Sequence, residues 1–237
     1  MSEQLPRPAK NENAFLNLLF NIVLPIFILN KGMNYLTPVQ ALALALLFPI
    51  GYGLYDLAQR KKVNLFSIVG LINVSLTGGL AVSGLGGFWF AVKEAVFPLL
   101  IGVFVAGSAL TKKPLIQTLV INPQAMKWEL IEAKLHELGR EHDFMSLLRK
   151  STWLLAGSFF VSAILNFVLA QKIFLPIDSS IPELERATIL NQQIAEMTGT
   201  SFVVIMIPSM AMLIGIMFYL FRGMSKATGL TLQEMIR

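Results

Sequence analysis

The sequence predicts an all-α polytopic membrane protein. It should have six transmembrane helices with both termini cytoplasmic, a cytoplasmic amphipathic connector and a short outer helix. Three observations predict this. Of 237 residues, 55% are hydrophobic and 14% charged, a balance that fits a membrane domain and not a soluble core. Apolar runs recur along the chain, most of them near the roughly 20 residues that cross a bilayer. The Lys and Arg residues also sort by side. Of the 19 in the chain, all but Lys31, Lys93, Lys172 and Arg186 fall in segments that this topology makes cytoplasmic, as orientation signals do.

Residues 1–13 are polar, with Pro6, Arg7, Pro8 and Lys10, and read as a disordered cytoplasmic tail. The transmembrane domain then covers 14–221. Its first span, 14–29, is followed by no small-x-small cleavage site, so it reads as a retained anchor. Asn13, Asn17 and Asn21 recur every fourth residue and share one face, which should meet other helices because amides facing lipid are costly. Pro25 is expected to kink the span. The second span, 39–57, ends in PIGYGLYD. Tyr52, Asp56 and Arg60 stand four apart on one face, where Asp56 and Arg60 can pair at the cytoplasmic boundary. They form either an interfacial anchor with a local ion pair or a gate or docking surface. A basic turn at 60–62 leads to the third span, 63–82, whose Ser67, Gly70, Asn73, Thr77 and Ala81 make a small, polar face. The glycines at 78–79, 84, 86 and 87 form an outer turn. No strand precedes them and no P-loop lysine follows, so they make no phosphate cradle.

The fourth span, 89–110, is the one around which the chain is organised. Wound at about 100° per residue, it collects Ala91, Ala95, Pro98, Gly102, Ala106 and Ala109 on one face. Trp89, Phe97, Leu100 and Phe104 lie opposite. Small residues let helices approach closely in lipid. Glu94 should therefore point inward, and Lys93 should point outward and snorkel toward the headgroups. A carboxylate within a span is by default a functional candidate. Glu94 either has a structural role, hydrated near the outer interface or bonded to a neighbouring helix, or is linked to an ion or substrate.

The connector, 111–150, holds the longest polar stretch. A short helix from Leu115 should lie on the membrane and stop at Asn122-Pro123. A second helix, 124–148, carries Ile131, Leu135, Leu138 and Met145 near one side and acids mostly elsewhere, so it either lies in the interface or docks a partner. Glu132 and His136 are spaced for two ligands on one face, but His142 falls off it, and the set is too small for a metal site. The fifth span, 152–170, places Ser158, Ser162 and Asn166 together. An outer segment, 172–200, should hold a helix starting near Pro182. The sixth span, 201–221, contains Pro208 as an expected kink. Residues 222–237 read as a cytoplasmic tail.

The chain runs, in order, through a basic turn (RKKVN), a span ending in glycines, the aromatic opening GGFWFAVKEAVFPLL and the exit TKKPLIQTLV. After the connector comes TWLLAGSFFVSAILNFVLA. Lys112, Lys113, Pro114, Leu115, Ile116, Trp153 and Asn166 carry the pattern. It resembles the bacterial inner-membrane intracellular septation protein A group and its uncharacterised relatives, over roughly residues 50–170. The resemblance implies a multi-pass protein of the bacterial inner membrane, linked to envelope integrity or division, that acts through other membrane proteins. It supplies no catalytic residue.

Two functions follow from different features. An interaction or scaffold protein of the cell envelope fits the amphipathic connector and the lack of a recognisable catalytic set. Its partners would be the bilayer and other membrane proteins or a second copy. A transporter or channel for a small solute, ion or lipid would use the polar seams Asn17, Asn21, Asn73, Thr77, Glu94, Ser162 and Asn166. Polar side chains are also ordinary glue between helices. An intramembrane enzyme comes third, since no HExxH, GxSxG or paired intramembrane Asp occurs. No cofactor, metal or nucleic-acid partner is expected: the basic residues flank spans and form no nucleic-acid-binding stripe.

Overall fold

A computed structural model describes residues 19–60, 72, 75–80, 87–120 and 126–236. They are mostly helical, with no strand among the described residues and one isolated antiparallel bridge between Met126 and Ile236. The helices are α1 (Leu24–Lys31), α2 (Pro38–Arg60), α3 (Gly87–Ala109), α4 (Leu115–Val120), α5 (Trp128–Glu137), α6 (Glu141–Ile173), α7 (Glu183–Ser201), α8 (Ile207–Thr228) and α9 (Leu232–Met235). Among the described residues, four helical stretches are long and apolar enough to cross a membrane: Pro38–Tyr55, Gly87–Ala109, Glu141–Ile173 and Glu183–Thr228. Most of the expected third span and the start of the first lie outside the described residues, although residues 75–80 are helical. The chain divides into two compact units, Met1–Lys93 with Leu169–Ser201, and Glu94–Val168 with Phe202–Arg237.

In the first unit α1 packs on α2 and α7, and α2 packs on α7. Helix α2 starts where it does because of Thr37-Pro38-Val39-Gln40. Thr37 N–H donates to Gln40 Oε1 at 3.0 Å and Gln40 N–H donates to Thr37 Oγ1 at 3.4 Å. This reciprocal cap, with proline at the first helical position, satisfies two orphan donors. At the start of α3, Phe90 is 1% exposed and stacks on Phe174 with ring centroids 4.5 Å apart. Gly87 sits so close to the Phe174 backbone that a Cβ there would overlap its carbonyl. That approach requires glycine.

In the second unit a core of large apolar side chains joins α3, α4, α5, α6, α8 and α9. Val105, Ile116, Ile131, Leu148, Leu220 and Met235 are all essentially buried within it. Gly102 lies against Phe160, where a Cβ would come within 2.7 Å of the ring. The small face of α3 is thus its inner face, with Gly102, Val105 and Ala109 buried, while Leu100 and Phe104 are 60% and 67% exposed.

Three expected boundaries shift, each for a local reason. The helix expected over 124–148 is two helices, because α5 ends in a Schellman turn. Gly139 is left-handed at φ 63°, and Gly139 and Arg140 N–H return to the carbonyls of His136 and Leu135. Beyond that turn α6 runs unbroken through the expected fifth span. The outer helix and the sixth span are likewise one continuous helical run, not two separate elements. Pro208 lacks an N–H and its ring crowds the carbonyl four residues back. A π-turn at Phe202–Met206 takes up the misfit. A second π-turn, Leu19–Val23, precedes Pro25 at the same offset.

The third shift is at the expected tail. Helix α8 continues to Thr228 and ends in left-handed Gly229 at φ 73°. The chain then folds back, with a capping box between Thr231 and Glu234 starting α9. Lys127 N–H donates to the Met235 carbonyl at 2.8 Å. Met235 is fully buried, so this segment is part of the core.

Candidate functional site

The polar residues picked out by spacing are distributed over both units. In the first, Lys93 Nζ donates to Thr77 Oγ1 at 2.8 Å. This corrects the expectation that Lys93 snorkels outward among the bulky side chains of α3. An ammonium within an apolar helix is strongly favoured by any oxygen in reach, and Thr77 offers one. A helical wheel gives the angle of Lys93 but not what stands opposite. Tyr52 is half-buried and its ring stacks on Phe20, with centroids 5.7 Å apart and planes 15° apart. Asp56 and Arg60 occupy the last turns of α2, and their side chains lie outside the described residues. Asn17 and Asn73 also lie outside them. Asn21 falls in the first π-turn, with its side chain outside the described set.

In the second unit Glu94 is half-buried near the start of α3. Ser162 and Asn166, both half-buried, are one turn apart on α6. Asn166 Nδ2 donates to the Ser162 carbonyl at 2.8 Å, so that amide donor is used within its own helix, a local bond typical of polar residues in spans. Ser162 and Asn166 are therefore a pair along one helix, and Thr77 and Lys93 a pair across two segments.

Sequence spacing missed two features. Asn191 is 2% exposed, and its Nδ2 donates to the Pro38 carbonyl at 2.7 Å, tying α7 to the start of α2. The signal was present: Asn191 interrupts an apolar stripe with Ala187, Ile194 and Ala195, and a lone amide there must find a partner. The other feature is the acidic ledge on α5. Its apolar stripe, Ile131 and Leu135, is buried in the protein's own core beside Met235 and Met224. That stripe is therefore unavailable to a bilayer surface. The opposite side exposes Glu129, Glu132, His136 and Glu137, with Lys134 bonded to Glu137 at 2.7 Å.

Glu234, at the capping box, has its carboxyl held below the ordinary glutamate value because it accepts hydrogen bonds from the Thr231 N–H and hydroxyl. Asp178, in the loop before α7, is lowered in the same way by the Ser180 N–H. Among the described residues no three metal-ligating side chains come together. Comparison of the chain with protein-family models, with curated proteins and with solved structures yields no match.

Proposed function

We propose that this is a non-enzymatic integral protein of the bacterial inner membrane that works as an interaction scaffold of the cell envelope. It crosses the bilayer six times with both termini cytoplasmic, as the distribution of Lys and Arg favours. The likeness to the intracellular septation protein A group supports a role in envelope integrity or division. The carrying observation is the acidic ledge of α5. A helix fastened by its apolar stripe to a rigid core, with Glu129, Glu132 and Glu137 outward, is a pre-organised surface for a basic partner. Ordering costs are then small on binding.

The test is site-specific photocross-linking in cells with the cross-linker at Ala133, followed by identification of the adduct. A single partner of defined mass should be captured, and the triple reversal Glu129→Lys/Glu132→Lys/Glu137→Lys should abolish it while membrane insertion is kept. An adduct that survives the reversal would remove the ledge from the interaction.

A second reading, passage of a small solute or ion, is favoured by the part-buried contact of Lys93 with Thr77. It predicts that Glu94→Gln abolishes a proton- or cation-dependent flux in proteoliposomes at unchanged protein level. Flux unchanged by the substitution would take Glu94 out of any pathway.

A further inference from the structure

In the second unit a groove of about 460 Å³ opens beside α6 and α8. Three cations line it, Arg140, Lys150 and Lys226, against one carboxylate, Asp143, with Tyr219 and Gly223 completing the wall. A Cβ on Gly223 would overlap the tip of the Leu147 side chain, which packs into the space that glycine leaves. Arg140 is held in place because its Nη1 donates to the Lys226 carbonyl at 2.7 Å. Among the described residues, Lys150, Lys226 and Asp143 enter no ion pair. The groove therefore carries a net positive charge that the protein itself does not neutralise.

The groove lies where the apolar lengths of α6 and α8 give way to charged residues. Continued toward the apolar side, both helix faces stay open. On α6, Leu154 and Val161 follow Lys150 at helical spacing and are 47% and 42% exposed. Between them sits Gly157, where a Cβ would meet nothing within 4 Å. On α8, Gly215 is one turn before Tyr219 and is equally open. Cations at the mouth, a tyrosine at the lip and an open apolar furrow behind match the parts of a phospholipid in sequence: phosphate, ester region, acyl chain. Basic pockets between spans on the cytoplasmic side are suited to such headgroups.

We propose that this groove binds an anionic glycerophospholipid, its headgroup phosphate held by Lys150, Lys226 and Arg140 and one acyl chain lying along the furrow past Gly157 and Gly215. A free phosphate would satisfy the cations but leave the furrow unused. The inference goes beyond the scaffold reading and does not depend on the α5 ledge: a failed cross-link there would leave lipid preference untouched.

The test uses the full chain purified in a neutral detergent, with native mass spectrometry reading retention of dioleoyl-phosphatidylglycerol against dioleoyl-phosphatidylcholine. Two lysines near a headgroup should favour the anionic lipid by about thirtyfold. The variant Lys150→Gln/Lys226→Gln should bring the two lipids to within about threefold. Both side chains are exposed, so helix content and melting should match the parent. The control Lys112→Gln/Lys113→Gln removes two exposed lysines outside the groove and should keep the preference. Gly215→Leu fills open space without touching the core and should weaken retention of both lipids, which share the same acyl chains, while keeping the anionic preference. Equal retention of both lipids by the parent protein, or a preference unchanged in Lys150→Gln/Lys226→Gln, would overturn the proposal. Displacement of the lipid by inorganic phosphate with no effect of Gly215→Leu would overturn it too, making the groove a small-anion site.

Discussion

The two units of this protein are held together by different physics. In the second, large side chains such as Ile131, Leu148 and Met224 share one buried core, and helix ends around it are closed by two left-handed glycines and one capping box. Where these side chains lie beyond the apolar lengths of α6 and α8, as Ile131 and Met235 do, their burial removes apolar area from water. The first unit relies more on close backbone approach at Gly87 and on single polar bonds, Asn191 to Pro38 and Lys93 to Thr77. Among helices surrounded by lipid there is little hydrophobic gain on association, so packing of small residues and hydrogen bonds carry the specificity. One chain uses both solutions, and each should fail in its own way.

The largest effect should come from Gly87→Val. Its side chain would meet the Phe174 backbone, which cannot step aside as a flexible side chain can. We expect almost no monodisperse protein on size exclusion, whereas Gly107→Val, where a Cβ meets nothing within 4 Å, should behave like the parent. If both variants express equally, close approach is not what holds the first unit. Next comes Leu148→Ala in the core of the second unit, expected to cost about 2–5 kcal/mol in denaturant titration. Leu100→Ala, at a side chain 60% exposed, should change stability by less than about 0.5 kcal/mol. Similar losses at the two positions would mean that burial does not distinguish them.

The smallest effect concerns pH. The Glu234 carboxyl is lowered in the folded protein, first by its bond from the Thr231 N–H. Its contribution is therefore present above the ordinary value of 4.5 and is lost as pH falls through the lowered one. Hydrogen-exchange protection around α9, corrected for intrinsic rates, should decline in that window. Glu234→Ala should remove the pH dependence without changing protection of the Leu148 region. A decline of equal size in the variant would assign the effect to another group.

Much of this architecture was legible in the sequence, though unevenly. The two faces of α3 follow from 3.6-residue periodicity alone, and Gly102 against Phe160 is the contact that the small face was built for. The second span reads from residue 39, next to the Thr37-Gln40 cap that starts α2, although the apolar pattern does not show that cap itself. Lys93 was misplaced because periodicity fixes direction and not the neighbour in that direction. The break at Gly139 was obscured because apolar positions such as Leu138 and Met145 continue across it, so only the glycine marks it. The fusion of the outer helix with the sixth span was hidden by the polarity of α7. A π-turn ahead of Pro208 lets a helix pass a residue usually read as its end. Burial of Met235 could not be read at all, since four helical residues hold too little pattern to show which side is covered.

The bridge from Met126 to Ile236 has a consequence for the order of assembly. These partners are far apart along the chain, with α5 through α9 strung between them. Closing so long a loop is slow and entropically costly until the intervening rods are already in position. The seat of Met235 beside Lys127 can therefore be filled only late. The closed seat becomes a physical receipt that the preceding segments have found their places.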